Sequence, residues 1–483
     1  MTNDAYEAVI GLEVHAQLLT RSKLFCGCAT AFGAPPNHNV CPVCIGMPGV
    51  LPVLNRYAVE LAIRTGLAAH CEIAPHSIFA RKSYFYPDLP KGYQISQYDE
   101  PLCRHGYIEL PALEGHAPRR IRLVRIHLEE DAGKNIHAEN ASLIDFNRSG
   151  VPLMEIVSEP DIRSPEEAAA YLRELRGILL ALHASDVKME EGSLRCDVNV
   201  SIRPRGSSEL GVKTEIKNLN SFRFVEKAIA YEVRRQIEEL SAGRRISQET
   251  HLWDPEREVT RPMRSKEFAN DYRYFPEPDL PPIVVPSDLI ESVRASMPEL
   301  PAERRARYAR EYGLNAYEAA VLTQDGELAN YFEAAASGLS NRKAAANWVM
   351  TEVLRVVNES GKPLGDALAA RLVPSPAETA ALLKMVEQSR LSLSAAKSAF
   401  AAMCRSGKGA EATVGELGLT QVSDEGAIAE ACDRIIAAEA AKVAEYRAGR
   451  DKLFGFFVGA VMKAMGGKAN PKVVNDVLRR KLA

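Results

Sequence analysis

Charged side chains that could bind a metal ion and a polyphosphate alternate with apolar residues in two short segments of the chain. The first segment contains Arg195 and Asp197, and the second contains Glu215 and Lys217. Carboxylates bind divalent metal ions through hard oxygen ligands, and fixed cations offset the negative charge of phosphates. A period of two indicates a strand with one buried face and one polar face. The two segments are therefore predicted strands that present this chemistry together.

Three further strand-like segments carry carboxylates or a histidine. In the first segment Glu13 and His15 share one face. The second segment ends in an acidic cluster at 129–131. The third segment is mostly apolar and contains Glu155. An uncompensated carboxylate would be costly to bury in such a segment. A single polar strand face is most often only solvated, and that interpretation stays open for each segment alone. Five such segments within the first 220 residues favour a shared acidic site.

The segment 81–98 combines cations and aromatic residues with prolines that prevent a regular buried element. Lys82 and Lys91 could bind phosphates, while Tyr84, Tyr86 and Tyr93 could stack on a base. Because aromatic residues usually lie in cores, a core position is the alternative for each tyrosine taken singly. For the segment as a whole we predict a binding role.

Two close pairs of cysteines, Cys26 with Cys28 and Cys41 with Cys44, flank a loop of twelve residues. Four thiolates complete a tetrahedral zinc site and leave no position for chemistry, so we predict a structural Zn²⁺ in the loop 26–44. Four unrelated reduced cysteines are the alternative. A redox pair is disfavoured because no thioredoxin-like βαβ pattern surrounds the motif.

Six motifs of the chain closely resemble the B subunit of the tRNA-dependent amidotransferase. They lie at residues 11–15, 127–134, 156–164, 189–197, 217–221 and 271–279. The resemblance runs through essentially the whole chain. At 483 residues the chain has no room for the inserted domain of the archaeal E-type relative. The resemblance therefore implies the bacterial or organellar B type.

The resemblance implies a carbon–nitrogen ligase that uses glutamine as amido donor and acts as part of a complex. ATP would activate the side-chain carboxylate of Glu-tRNA(Gln) or Asp-tRNA(Asn), and ammonia would then displace the phosphate. An amidase (A) subunit would supply the ammonia, and a small C subunit would complete a heterotrimer. The sequence has neither a P-loop nor an amidase signature, which agrees with this division of labour. A noncatalytic zinc-containing tRNA-binding scaffold and a free-standing ATP-dependent ligase are the alternatives.

The resemblance also implies functional residues and the cofactors ATP and Mg²⁺. The expected catalytic residues are Glu13, His15, Glu130, Glu155, Asp197 and Glu215. The expected Mg²⁺ ligands among them are Glu13, His15, Glu130 and Glu155. The expected contacts to the nucleotide or the aminoacyl end are Lys82, Tyr84, Lys91, Arg195 and Lys217. Which tRNA is the natural substrate stays open.

The pattern of strands and helices predicts an α+β protein of three domains. Residues 1–287 are predicted to form a cradle-like domain with a mixed or antiparallel sheet, and Ser164 before Pro165 predicts the start of a helix in it. Strand signals end near residue 288. We therefore predict an all-helical domain over residues 288–405 and a small helical tail domain over residues 406–483.

Charge in the predicted tail is uneven, with nine bases against two acids in residues 447–483. Such a segment is typical of a phosphate-binding surface, with a solvated helical face as the alternative. Together with the resemblance it predicts tRNA contacts. The candidate residues are Lys452, Lys463, Lys468, Lys472, Arg479 and Arg480.

Composition predicts a cytoplasmic protein that does not enter membranes. Apolar residues make up 46% of the chain and charged residues 25%, as in ordinary globular proteins. No apolar run approaches the roughly 18 residues of a membrane span, and the first residues do not resemble a signal peptide. Nine cysteines, without the spacing of a disulfide framework, fit a reducing compartment.

Overall fold

The strand-like alternation of the first half of the sequence becomes a mixed sheet, and the second half becomes helices. The computed structural model describes residues 5–111, 118–138, 140–263, 272–421, 424–466 and 469–482, apart from the side chain of residue 137. Two compact units divide the chain, Met1–Glu303 and Arg304–Ala483. Asp271 of the last motif and Lys468 of the predicted tail cations lie outside the described residues.

Short and long strands alternate with helices in the first unit. Its described strands are β1 (Tyr6–Gln17), β2 (Glu72–Ile73), β3 (His76–Ser77), β4 (Ala80–Ser83), β5 (Tyr93–Ser96), β6 (Cys103–Arg104), β7 (Tyr107–Leu110), β8 (Arg119–Glu130), β9 (Lys134–Ala138), β10 (Ala141–Asp145), β11 (Pro152–Ser158), β12 (Leu194–Pro204), β13 (Thr214–Lys217), β14 (Thr250–Asp254), β15 (Val259–Pro262), β16 (Phe275–Pro276) and β17 (Ile283–Val284). Its described helices are α1 (Arg56–Ala68), α2 (Pro165–Ala181), α3 (Phe222–Ser241) and α4 (Ser287–Ala295).

Ten of these strands form one sheet. Its order is β15-β14-β13-β12-β1-β11-β8-β6-β2, with β7 also paired to β8. Among the described pairs of this sheet, only β13 and β14 run parallel. The central strand β1 buries Leu12 and Val14 on the face that packs, with α1, α2 and α3, into one apolar core. The other face of β1 is therefore left to the polar residues.

Every described element of the second unit is helical. The helix α5 (Pro301–Tyr312) begins at its boundary, and the others are α6 (Ala316–Thr323), α7 (Gly326–Ala336), α8 (Arg342–Trp348), α9 (Leu354–Ser360), α10 (Leu364–Ala369), α11 (Pro376–Glu387), α12 (Leu393–Ser406), α13 (Ala410–Glu416), α14 (Glu425–Ala438), α15 (Ala440–Arg447), α16 (Phe454–Ala464) and α17 (Pro471–Leu482). A π-helical turn (Val349–Val353) joins α8 to α9, and a 3₁₀ turn (Asp451–Leu453) precedes α16.

Two apolar clusters lie in this second unit. One extends along the sequence from Tyr308 to Val414, and the other from Ile428 to Leu482. The predicted α+β class is confirmed, while the three domain boundaries stay predictions. Within the described part of the chain, no helix is both long enough and apolar enough to cross a membrane.

Candidate active site

Strand register brings the polar residues of β1 next to those of β11, β12 and β8. His15 on β1 lies opposite Glu155 on β11 and opposite Arg195 on β12. Glu155 in turn lies opposite His127 on β8. Directly opposed residues of antiparallel strands point to the same face of a sheet. These four side chains therefore form a row across the polar face.

His15 lies at the centre of three carboxylates. Its Nε2 is 3.3 Å from Glu155 Oε2, 3.7 Å from Glu129 Oε1 and 3.7 Å from Glu13 Oε1. Burial lowers the pKa of His15, but the hydrogen bond to Glu155 and the negative charge of Glu129 outweigh it and raise the pKa to about 9. Burial and the charge of Glu155 raise the pKa of Glu13. The site therefore concentrates negative charge around His15.

His127 supports two of these carboxylates from the neighbouring strand. Its Nε2 lies 3.7 Å from Glu155 Oε2 and 3.8 Å from Glu129 Oε2, and its Nδ1 lies 3.3 Å from Arg125 Nε. Ser96 Oγ also donates a hydrogen bond to Glu129 Oε2 at 3.2 Å. Burial would raise the pKa of Glu155, but His127, His15 and Arg125 lower it well below its usual range. Glu155 is therefore held as a carboxylate.

Asp131, which is almost fully buried, orients Arg195 beside this cluster. Its Oδ1 accepts from Arg195 Nη2 at 2.9 Å, and its Oδ2 accepts from Gln17 Nε2 at 2.8 Å. Burial would raise the pKa of Asp131, but the charges of Arg195 and Arg148 lower it. The Arg195 guanidinium is therefore fixed at the edge of the acidic row.

A second charged group continues the row onto β13. Glu13 lies opposite Asp197 on β12, and Glu215 projects from the next strand beside it. Lys217 Nζ contacts Asp197 and lies 3.1 Å from Glu215 Oε1, while Thr250 Oγ1 donates to Glu215 Oε2 at 2.8 Å. Burial lowers the pKa of Lys217, but the charges of Asp197 and Glu215 outweigh it and raise the pKa. Lys217 therefore stays cationic between two carboxylates.

A cavity of about 400 Å³ opens on this face of the sheet. Six of the predicted residues line it, namely His15, Lys82, Tyr84, Arg195, Asp197 and Lys217. Lys82 Nζ lies 4.8 Å from the centroid of the Tyr272 ring, and Tyr84 stacks against Tyr86 with 5.8 Å between the ring centroids. Burial lowers the pKa of Lys82, but Tyr274 and Glu129 raise it. The cavity thus joins cations, carboxylates and aromatic rings.

Glu130 and Lys91 do not lie with these residues. Glu130 is opposite Pro152, so it points to the other face of the sheet from Glu129. It is 2% exposed, contacts Lys91 Nζ and accepts from Ile95 N at 2.9 Å. The pair lines a different cavity, beside the cysteine loop. The structure therefore gives Glu130 an ion-pair partner rather than a place among the clustered carboxylates.

The four predicted cysteines come together. Their four sulfur atoms all lie within 4.8 Å of one another. In a tetrahedral zinc–thiolate site the sulfur atoms are roughly 3.8 Å apart, so a small adjustment would bring these four to that spacing. Cys44 Sγ accepts from Cys41 N at 3.2 Å and from Lys23 Nζ at 3.6 Å. A hydrogen bond from Cys26 is the main cause that lowers the pKa of Cys44 to about 4. The donor set therefore fits a zinc ion.

The predicted tail cations are exposed wherever the structure describes them, while Lys468 is not among the described residues. The exposed ones are Lys452, Lys463, Lys472, Arg479 and Arg480. Arg480 contacts Glu425, and the Arg479 guanidinium lies 5.8 Å from the centroid of the Phe454 ring. The ion pair with Glu425 therefore offsets part of the positive charge of these tail residues.

Two sequence models of known protein domains match the chain. The sequence model described as "GatB/GatE catalytic domain" matches residues 8–291, and the one described as "GatB domain" matches residues 330–482. The chain belongs to the GatB/GatE family. The resemblance predicted from the six motifs is thereby confirmed.

Relatives of this GatB/GatE chain are named as the B subunit of aspartyl/glutamyl-tRNA(Asn/Gln) amidotransferase. The one from Thermodesulfovibrio yellowstonii is 56% identical over 474 residues, which cover 98% of each chain. The one from Geobacter sulfurreducens is 55% identical over 482 residues, 99% of each chain. The one from Myxococcus xanthus is 52% identical over 479 residues, 99% of this chain and 98% of the relative. Similarity of this extent covers both units.

The predicted catalytic and ligand residues omit three residues that lie in the site of this GatB/GatE chain, although two of them belong to the acidic cluster at 129–131. They are His127 and Glu129, which alternate near the end of β8, and Asp131, which follows its last residue. The signal was their spacing of two, which places them on one face with Arg125. Choosing the correct face of β8 required its register with β11, because the acidic cluster at 129–131 contains residues of both faces.

Proposed function

We propose that this chain is the B subunit of a tRNA-dependent amidotransferase, a carbon–nitrogen ligase that uses glutamine as amido donor. It converts Glu-tRNA(Gln) or Asp-tRNA(Asn) to the amide with ATP. Two observations support this: relatives that are 52–56% identical over nearly the whole chain bear that name, and the sheet carries a row of carboxylates bordered by cations. The noncatalytic scaffold alternative has no support in the comparisons.

Four residues at the centre of the row would hold Mg²⁺. They are Glu13, His15, Glu129 and Glu155, with Glu129 in place of Glu130. Glu13, His15 and Glu155 form one group of potential ligands, and Glu129 and Glu155 form another with His127; within each group the ligand atoms lie within 4.8 Å of one another. When bound there, Mg²⁺ would offset the negative charge of the ATP phosphates. Carboxylate oxygens are the ligands that it prefers.

The cations of the cavity position the reacting groups. Arg195, held by Asp131, and Lys82 bind phosphate oxygens, and Lys217 orients the carboxylate to be activated. That carboxylate attacks the γ-phosphorus and ADP leaves; ammonia then attacks the acyl carbon, and phosphate departs with the third hydrogen of ammonia. The fixed geometry of Arg195 avoids reorganisation during the reaction. Tyr84 stacks on a base at the rim of the cavity.

The remaining predictions complete the proposal. An amidase subunit supplies ammonia, and a small C subunit completes the complex, which works in the cytoplasm. The loop 26–44 binds one structural zinc ion. The three domains span 1–287, 288–405 and 406–483, and the last one binds tRNA through its exposed cations. The positive charge of residues 447–483 supports this role.

The test uses Glu129→Gln and Glu155→Gln in the complex reconstituted with the amidase subunit. Each should lower ATP-dependent amidation by about 100-fold or more, the effect of removing one preorganised electrostatic group. Glutamine hydrolysis by the partner should persist. Glu109→Gln, at an exposed position of the adjoining strand β7, is the matched control. Normal amidation by both site variants at saturating Mg²⁺ would place the chemistry elsewhere.

A further inference from the structure

Lys23 is a cation buried beside the cysteine cluster. Its side chain is among the largest fully buried ones and only 1% of the residue is exposed. Its backbone N donates to Cys28 O at 2.9 Å, which holds Lys23 against the cysteine loop. Burying an ammonium ion is costly unless an anion and hydrogen-bond acceptors compensate it. The position of Lys23 therefore requires a counter-ion.

The partners of Lys23 identify that counter-ion. Its Nζ donates to Phe146 O at 3.1 Å and to Cys44 Sγ at 3.6 Å. No carboxylate of a described residue forms an ion pair with it within 4.0 Å. Glu130 lines the same cavity but is paired with Lys91. The sulfur of Cys44 is thus the anionic partner that the fold provides.

We propose that Lys23 is the counter-ion of the metal–thiolate cluster and strengthens its affinity for zinc. Four thiolates around Zn²⁺ leave an excess of two negative charges. The ammonium of Lys23 offsets one of them and donates a hydrogen bond to a ligating sulfur. Groups that contact metal ligands in this way typically contribute 10–100-fold to metal affinity. This inference rests on the proposed zinc site and not on the proposed reaction.

Lys23 also joins the cluster to the turn that leads into β11. Besides its bond to Phe146 O, Ser149 Oγ donates to Cys44 O at 3.2 Å. Gly150 N in the same turn donates to Asp131 O at 2.9 Å. The turn 146–150 is therefore bonded to the cysteine loop on one side and to the site residue Asp131 on the other. The bond from Lys23 to Phe146 O is one of the contacts that hold this turn against the cysteine loop.

The test measures zinc affinity of the full-length chain by competition with a chromophoric chelator. Lys23→Met is one atom shorter but keeps an unbranched apolar side chain, while Lys23→Gln keeps a donor for Phe146 O. Both should bind zinc at least about tenfold more weakly than the wild type because both lose the charge. Lys134→Met, at an exposed position of β9, should bind zinc like the wild type. If Lys23→Met does not fold, the zinc affinity of Lys23→Gln alone tests the role of Lys23.

A second measurement needs no substitution. Acetic anhydride should modify the Lys23 amine more slowly in the zinc-loaded than in the zinc-free wild type, with Lys134 as internal reference. Equal rates, or zinc binding by a folded Lys23 variant within threefold of the wild type, would overturn the role of Lys23. A wild-type chain that binds no zinc would overturn the zinc site as well, while leaving the proposed amidation untouched.

Discussion

Removing the charge of Glu130 while keeping its shape separates a role in folding from a role in metal binding. Glu130 and Lys91 form an ion pair whose side chains are 3% and 9% exposed. We expect Glu130→Gln to lower the free energy of unfolding of the first unit, because Lys91 would stay buried without its counter-ion. It should not raise the Mg²⁺ concentration that amidation requires, since its side chain points away from His15.

The size of the effect follows from the surroundings of the pair. Removing one partner of a buried ion pair costs about 3–5 kcal/mol. Glutamine can still accept from Ile95 N at 2.9 Å, and the Tyr93 ring, 5.4 Å from Lys91 Nζ, partly stabilises the remaining cation. We therefore expect a loss of about 3 kcal/mol for Glu130→Gln. The double variant Lys91→Met/Glu130→Gln should return to within about 1 kcal/mol of the wild type, because no buried charge remains.

The two tryptophans allow this measurement on the first unit alone. Trp253 is buried in the first unit and Trp348 in the second. In a Trp348→Phe background, urea unfolding followed by Trp253 fluorescence reports the first unit. The control Lys227→Met breaks an exposed ion pair with Glu258 and should cost less than about 1 kcal/mol.

Two results would refute the reasoning. A loss for Glu130→Gln no larger than that for Lys227→Met would show that burial of the pair does not matter. A raised Mg²⁺ requirement for Glu130→Gln together with an unchanged one for Glu129→Gln would show that the metal site uses the other face of β8.

Three further predictions concern the cysteine loop, the central histidine and the tail. Cys41→Ser should lower zinc content and the midpoint of thermal unfolding before it lowers turnover per folded molecule, because structural zinc contributes to folding; unchanged stability in a zinc-depleted variant would contradict this. In the metal-free protein His15 has a pKa raised from 6.5 to about 9, so its contribution to the free energy of unfolding is fully present below pH 6.5 and is lost as pH rises through 9. His15→Gln should flatten the dependence of unfolding free energy on pH in that window, and a parallel profile would count against the shift. Truncation after Gln421, which spares the apolar cluster that ends at Val414, should raise the KM for aminoacyl-tRNA and reduce its dependence on salt; wild-type tRNA binding across a salt titration would exclude a role for the tail.

Local patterns in the sequence were enough to predict which segments form strands with a polar face and where helices begin. Ser164 caps α2 as predicted, with its Oγ accepting from Glu167 N at 3.1 Å. The alternation around His15 and Asp197 likewise predicted β1 and β12. The spacing of the cysteines predicted a cluster that the structure contains. Such features depend on neighbours within a few residues, which a sequence displays directly.

Only the tertiary structure decided which strands are neighbours and in which register. The pairing of β1 with both β11 and β12 places His15 between Glu155 and Arg195, which lie far apart along the chain. The register of β8 assigned Glu129 to the polar face and Glu130 to an ion pair behind it. Consecutive strand residues point to opposite faces, so an acidic run by itself does not show which member faces the site. That choice depends on long-range pairing, which the sequence alone did not determine.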